Sequence, residues 1–518
     1  MRDRVEDLEA RRADIRDMGG AERVERQHAR GKLTARERLE RFYDDGRYEE
    51  IAMHARPMGM YGDGDERTPA DAVICAVGRL EGRTVCSVAY DFTTKGGTIG
   101  FIGDQKVARL RQIALQSRAP IVWWVDSAGA RIEVKGTHPD MVSMFAGTGQ
   151  MFHEQVRMSG VVPQVAAMVG PGAAGTAYVP GLADFVPMVK GIGSMALAGP
   201  ALVKAATGQE ISEQELGGSK VHCEVSGCGD VEVEDDDEAI AVTKRYLSYL
   251  PSSCEELPPV AHNVDPIDRR EDALLDLLPE DPRRAYDMRD VVAAIVDGGQ
   301  YLEIKPRYAR NVITCLARFD GRPVGIVANQ PKHMSGALDC DASDKAARFM
   351  QICDAFGVPL LFLEDCPGFM VGKHVEHLGI IRHGAKMLHV MSSATVPKMT
   401  VVVRKAYGAG YYVMCGRAFD PDLIVAWPTA EISVMGAEGL LSIAGQKMFG
   451  GMEPPAEVKE QILGVIRQNI DVYKSAGWGY VDDVIDPRDT RRVVCEAVRR
   501  TWGKRADPPA RRRSVMPV

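Results

Sequence analysis

The chain has 518 residues, 45% of them apolar and 26% charged, with a formal net charge of -8 at pH 7. That composition is ordinary for a globular protein, the length fits two domains of about 250 residues better than one, and the charge leaves no footprint for nucleic acid. No stretch approaches the roughly 20 uninterrupted apolar residues of a membrane span, and the eleven cysteines include no Cys-x-x-Cys pair, which excludes zinc-ribbon and thioredoxin-like motifs.

In chain order, residues 1–45 read as a charged helical leader and residues 46–255 as a first domain. A β-branched strand (Val85 to Ala89) precedes a helix with apolar positions at Val107, Leu110, Ile113 and Ala114, the spacing of one buried helix face. Pro120 then starts a second buried strand, Ile121 to Val125, which ends in the turn Asp126–Arg131. A later strand runs into the small-residue turn Gly170–Tyr178. The acidic run Glu234 to Glu238 reads as a solvated loop. Residues 256–282, rich in Pro and acid, read as a linker, residues 283–508 as a second domain, and residues 509–518 as a basic tail carrying Arg511 to Arg513. The odd cysteine count and the missing signal peptide point to a reducing compartment, the cytoplasm.

The second domain repeats the first. Gly82 and Gly321 lie 239 positions apart, and the same 239 separates Lys106 from Lys345, Pro120 from Pro359, Asp126 from Asp365 and Gly129 from Gly368. The strand Val324 to Ala328 is followed by a helix (Ala346, Phe349, Ile352, Cys353), a buried strand (Leu360 to Leu363), the turn Glu364–Phe369 and a later turn at Ala406–Tyr412. Strands alternating with helices predict two tandem α/β layers with buried strands.

Each half thus offers two turns where a strand ends in small residues and a helix opens. Such a turn leaves backbone N–H groups unpaired and aimed outward, able to hold a developing oxyanion. Other motifs fall away. Gly170 to Gly175 matches G-x-G-x-x-G but lacks the acidic residue about 20 positions on. His374, Glu376, His377 and His383 lack metal-ligand spacing, and Ser127 lacks the G-x-S-x-G frame of a nucleophile. No side-chain acid–base pair stands out, so chemistry here rests on backbone amides.

The ordered motifs GKLTARERL (Gly31–Leu39), DFTTKGGTIG (Asp91–Gly100), DSAGAR (Asp126–Arg131), LVKAATGQE (Leu202–Glu210), ELGG (Glu215–Gly218), GIIRHGAKM (Gly379–Met387), RKAYGAGYYVMCGR (Arg404–Arg417) and AWPTAEISVMG (Ala426–Gly436) resemble the carboxyltransferase (β) subunits of biotin-dependent acyl-CoA carboxylases, of the propionyl-CoA and methylcrotonyl-CoA type. The resemblance spans His28 to about Trp502. It implies two crotonase-like domains, assembly into a hexamer, and sites between the first domain of one subunit and the second of another. It implies a partner as well, a biotin carboxylase and biotin carboxyl carrier subunit whose carboxybiotin donates the carboxyl group. Biotin would sit on that partner, since Ala385-Lys386-Met387 and Gln446-Lys447-Met448 lack the first Met of a biotin-accepting Met-Lys-Met, and no metal is implied. In the family, carboxybiotin releases CO2 and its ureido nitrogen removes the acyl α proton, which accounts for the missing protein base.

Carried over residue by residue, the resemblance gives Ala174 and Gly175 as the catalytic amides for the thioester oxygen of an acyl-CoA. Ala409 and Gly410 take the ureido oxygen, with Tyr407 and Gly408 completing the biotin site. Substrate-binding candidates are Ser127, Ala128, Gly129, Ala130, Arg131, Tyr178 and Tyr412. The family usually has Gly-Gly at 174–175, Gly-Ala at 409–410 and, in propionyl-type members, Asp at 412, where methylcrotonyl-type members have Tyr. The expected activity is carboxyl transfer to the α or vinylogous γ carbon of a short-chain acyl-CoA. Other readings are a biotin-dependent methylmalonyl-CoA decarboxylase or transcarboxylase subunit, a crotonase-type hydratase or isomerase without biotin, and a non-catalytic scaffold.

Overall fold

The structure is a computed structural model that describes residues 1–57, 67–131, 150–281, 283–448, 455–507 and 514–517, with backbone alone at 444–448. It divides into two compact units, Met1–Glu256 and Leu257–Val518. The basic cluster at 511–513 lies outside the described residues. None of the described helices is long and apolar enough to cross a membrane.

Unit 1 is built on a sheet of β1 (Tyr48–Ile51), β2 (Val73–Leu80), β3 (Arg83–Tyr90), β4 (Ile121–Ser127), β5 (Gln164–Ala173), β6 (Pro187–Val189) and β8 (Val231–Val233), in that spatial order. The short β7 (Ser194–Ala196) pairs with the end of β5 instead. β1 to β3 run antiparallel and β3 onward parallel. Helices cover the parallel strands, so β4 is buried at every position, as strands covered on both faces must be. Trp123 and Trp124 sit at its centre.

Unit 2 repeats the design with β9 (Tyr301–Ile304), β10 (Val312–Phe319), β11 (Arg322–Asn329), β12 (Leu360–Cys366), β13 (Lys398–Tyr407), β14 (Leu423–Ala426) and β16 (Asp483–Val484), while β15 (Glu431–Ser433) pairs with the end of β13. β2 and β10, and β3 and β11, begin 239 residues apart. The duplication reaches single side chains. Asp44 accepts from the N–H groups of Glu81 and Gly82, as Asp297 does from Asp320 and Gly321. Lys106 is buried with its ammonium on the carbonyls of Ala70 and Val73, as Lys345 is on those of Lys305, Tyr308, Ala309 and Val312. Each lysine gathers carbonyls of the turn that precedes the second strand of its sheet and of that strand's first residue.

Three segments differ from their sequence reading. Residues 1–45 do form helices, α1 (Arg2–Arg16), α2 (Ala21–His28) and α3 (Ala35–Phe42), but α3 buries Arg38, Leu39 and Phe42 completely. Phe42 meets Trp124 edge-on at 5.3 Å. The acidic run is a helix start rather than a loop, with Asp235 capping a helix over Asp236–Tyr249 and Asp236 buried. Residues 257–282 belong to unit 2, where Leu274 packs into the main core. In the first two cases charged residues are buried against a partner of opposite sign, Arg38 against Asp236, which patterning alone does not reveal.

Candidate active site: two strand-to-helix elbows

In unit 1, β5 ends at Ala173 and the helix α4 (Gly175–Leu182) begins two residues later. Ala174 makes the elbow at φ 52°, ψ -117°, a region L-residues rarely occupy. Its own N–H is spent on the carbonyl of Ala196 in β7, at 3.1 Å. The N–H groups of Gly175 and Thr176 open the helix and have no helical acceptor upstream. Of the expected pair Ala174–Gly175, therefore, Ala174 has its N–H spent within the fold, while Gly175 and the buried Thr176 are the first residues of the helix. Thr176 is held there by its hydroxyl, which donates to the Ala173 carbonyl at 2.8 Å. Tyr178, half-exposed one turn on, meets Phe152 edge-on at 5.5 Å.

The elbow's strain is testable. Glycine adopts positive φ freely, whereas a non-glycine residue in such a region costs about 1–3 kcal/mol. Ala174→Gly keeps the N–H to Ala196, so we expect an unchanged rate and a melting temperature at or above that of the parent chain. Ala174→Val, β-branched, is expected to melt lower. Calorimetry of the two variants checks this.

The turn after β4 lies against this elbow: a Cβ placed on Gly129 would come 2.9 Å from the Ala173 carbonyl oxygen. Ala128 and Ala130 are exposed. Ser127 is buried, and its hydroxyl oxygen accepts from the Gly129 N–H at 3.1 Å. Arg131 departs from expectation. Its guanidinium is buried on Asp71 and on the Thr98 hydroxyl (3.2 Å) and carbonyl (3.0 Å). It fastens the turn to the loop at 93–100 rather than facing a substrate, because a buried cation needs a fixed counter-charge.

Asp126, at the end of β4, is fully buried. Its carboxylate takes the Lys32 ammonium at 2.5 Å, the Gln27 amide at 2.8 Å and the Arg38 guanidinium at 3.2 Å. Arg38 also reaches Asp236 at 2.7 Å and the Val169 carbonyl of β5 at 3.3 Å. Burial lowers the Lys32 pKa, and the Asp126 carboxylate opposes that shift. In unit 2 the matching Asp365 is held by Arg404 of the neighbouring strand.

The second elbow joins β13 to the helix α5 (Gly408–Val413). Gly408 has φ 57°. Strand register places Tyr407 opposite Ala173 in the duplication, so Ala409 and Gly410 answer Gly175 and Thr176, and Tyr412 answers Tyr178. The offset here is 234 residues instead of 239, because the connection between the two strands is shorter in unit 2. Ala409 is exposed at the helix start. Gly410 is buried, and a Cβ there would lie 2.5 Å from Cys366 Sγ and 3.0 Å from Gly368 Cα. Tyr412 is half-exposed beside Tyr411 and Phe419.

Tyr407 also departs from expectation as a side chain. It is buried with its hydroxyl bonded to Glu431, and burial together with that carboxylate raises its pKa. Its contribution is to hold β15 against β13. Behind this elbow Glu364 is fully buried, without a hydrogen-bond partner among the described residues. Burial and then the neighbouring Asp365 push it well above the usual carboxylate range. Lys405 is lowered by burial. Neither elbow presents a side-chain base among its described residues; what both present is a pair of backbone donors.

Comparison with known proteins follows the same line. The family model for the carboxyl transferase domain matches residues 26–516. The chain is 41% identical to the methylmalonyl-CoA decarboxylase subunit alpha of Veillonella parvula, covering 100% of this chain and 99% of that protein. It is 39% identical to the propionyl-CoA carboxylase beta chain of Roseobacter denitrificans, over 100% of both. Among solved structures, transcarboxylase 12S, described as a hexamer with methylmalonyl-coenzyme A and methylmalonic acid bound, superposes with a TM-score of 0.94 at 42% identity, covering 100% of this chain and 98% of that one.

Proposed function

The chain belongs to the carboxyl transferase family, and we propose that it is the carboxyltransferase subunit of a biotin-dependent enzyme acting on a short-chain acyl-CoA. The observation that carries this reading is the pair of elbows, each ending a parallel strand and each opening a helix with free N–H donors. One pair suits a thioester oxygen and the other a ureido oxygen. Gly175 and Thr176 would hold the thioester oxygen and so stabilise the enolate formed when the α proton leaves. Ala409 and Gly410 would hold the ureido oxygen of biotin, which supplies the carboxyl group and the base. Asp126, at the end of the strand paired with β5, is locked by three partners and free for neither proton transfer nor water activation, which disfavours a hydratase.

The names of the relatives support carboxyl transfer to or from a three- or four-carbon acyl-CoA, and the 12S structure supports a hexamer, which we propose for this chain too. We propose further that biotin resides on a separate subunit. Lys386, which is followed by Met387, lies on the helix Ile380–Ser393 and is paired with Asp344 at 2.8 Å, whereas a biotin-accepting lysine needs an exposed hairpin. The purified chain is then expected to be unable to carboxylate acyl-CoA with ATP and bicarbonate until a biotinylated carboxylase partner is added. A streptavidin-positive band at its own mass would contradict this.

Tyr412 is proposed to wall the acyl pocket, as an apolar surface that shortens it. Tyr412→Ala should then raise kcat/KM for butyryl- and octanoyl-CoA relative to propionyl-CoA, by about 1–3 kcal/mol for each methylene accommodated. An identical ranking of acyl-CoA substrates in both proteins would remove Tyr412 from the pocket.

A further inference from the structure

We propose that Lys32 and Arg38, which lie in the segment before the first sheet, are positioning residues for the thioester elbow; this rests on the carboxyltransferase reading above. The argument starts from strand ends. β4 and β5 lie side by side in parallel, and their carboxyl ends supply the two turns of the first site. Their ladder is regular up to Val125 opposite Met168, then shifts before Ser127 opposite Gly172. At that irregularity the ladder itself ceases to fix one turn against the other.

In unit 2 the same irregularity falls between Glu364 and Cys366, and β13 bridges it with its own Arg404, whose guanidinium holds Asp365 at 2.9 Å. Strand register puts Gly170 where unit 2 has Arg404. Unit 1 has no such residue on the strand, nor space for one: a Cβ on Gly170 would lie 2.0 Å from Asp126 Oδ1. The cations come instead from the amino-terminal segment. Lys32 takes Asp126 Oδ1, while Arg38 takes Oδ2 and also reaches the Val169 carbonyl on β5. One guanidinium thereby touches both strands just before both turns.

The same segment grips the loop on the other flank of the site. The Gly19 N–H donates to the Thr93 hydroxyl at 3.0 Å, and the Lys32 ammonium stands 4.3 Å over the Phe92 ring. That loop carries Gly96, whose carbonyl accepts from Ala128 in the turn after β4. GKLTARERL thus has a physical reading: Lys32 and Arg38 lock the strand ends, and Thr34 with Glu37 forms the capping box that starts α3 between them. Displacing reacting groups by about 1 Å costs on the order of 100-fold in rate, so a lock at the strand ends is a lever on turnover.

The test is Lys32→Met, which releases Oδ1 while Arg38 and Gln27 keep Oδ2 paired, with Arg38→Lys as the charge-keeping companion. Transfer between methylmalonyl-CoA and biocytin is measured in the full chain, alongside melting temperature. We expect Lys32→Met to fold and its kcat to fall on the order of 10- to 100-fold. Its KM for biocytin should be unchanged, since the second elbow has its own lock in Arg404. Arg38→Lys should lose kcat in the same way without a change in charge. Full kcat in folded Lys32→Met overturns the proposal, as does a loss that appears equally in the KM for biocytin. Should Lys32→Met fail to fold, Lys32→Arg, which keeps the cation, takes its place: altered kcat with unaltered biocytin KM supports the lock, and unaltered kcat overturns it. Absence of transfer in the unmodified chain would instead defeat the carboxyltransferase reading itself.

Discussion

Replacing Ala409 with Pro is expected to slow carboxyl transfer on the order of 100- to 1,000-fold, about 2.7–4 kcal/mol in the barrier, the typical loss for one oxyanion donor. The site suits the test. Ala409 is exposed in the first turn of its helix, where proline is tolerated because the N–H it removes has no helical acceptor. The residue before it is Gly408 at φ 57°, already outside the helical region that proline forbids to its predecessor. The melting temperature should therefore hold while the rate falls. Ala409→Ser, which keeps the N–H, should retain the rate and separates loss of the donor from loss of the methyl group. Gly410→Pro would be a poorer experiment, because any Cβ at 410 collides with Cys366 and Gly368 and a lost rate would report misfolding. A folded Ala409→Pro with full turnover would remove this amide from the site.

The division of labour between sequence and structure can be seen at these elbows. Strand and helix order, and the duplication itself, were legible because they are repetitive: a constant spacing of 239 and a buried apolar run ahead of each small-residue turn. Strand register sets the expected pair Ala409 and Gly410 against Gly175 and Thr176, one residue beyond the pair expected at the first elbow. Nothing in the residue types distinguishes the Ala174 N–H from its neighbours; only its bond to Ala196 of β7 does, and β7 is three residues long with no pattern of its own.

Charged residues were the least legible. Arg131 sits in the most recognisable motif of the chain and reads as a substrate ligand, yet its partner Asp71 lies 60 residues upstream. The leader reads as a charged helical segment, and α1 is exposed along most of its length. Twenty residues further on, the same kind of composition is buried, because Arg38 finds Asp126 and Asp236 at separations of 88 and 198 residues. Long-range pairing of opposite charges leaves no periodicity to detect.

Asp126→Ala follows from that pairing and is expected to be the most destabilising single change in unit 1. It strands the Lys32 ammonium and leaves the Arg38 guanidinium to Asp236 alone, in a region where Asp126 and Arg38 are fully buried and Lys32 is 5% exposed. Breaking a buried pair from one side costs about 3–5 kcal/mol, because the remaining charge is left without water or partner. For a domain of this size that corresponds to a drop of roughly 6 to 20 °C in melting temperature, at about 2–4 °C per kcal/mol. Asp126→Asn should cost less, since the amide oxygen can still accept from Gln27 or Lys32. The informative comparison is the pair Asp126→Asn with Lys32→Met, which removes one charge of each sign. If the clamp acts through charge balance, the double variant melts above Asp126→Asn alone, with a coupling of about 0.5–3 kcal/mol, as expected for residues in contact. Strictly additive losses would mean that Lys32 and Asp126 contribute independently, and that Arg38 alone neutralises the carboxylate.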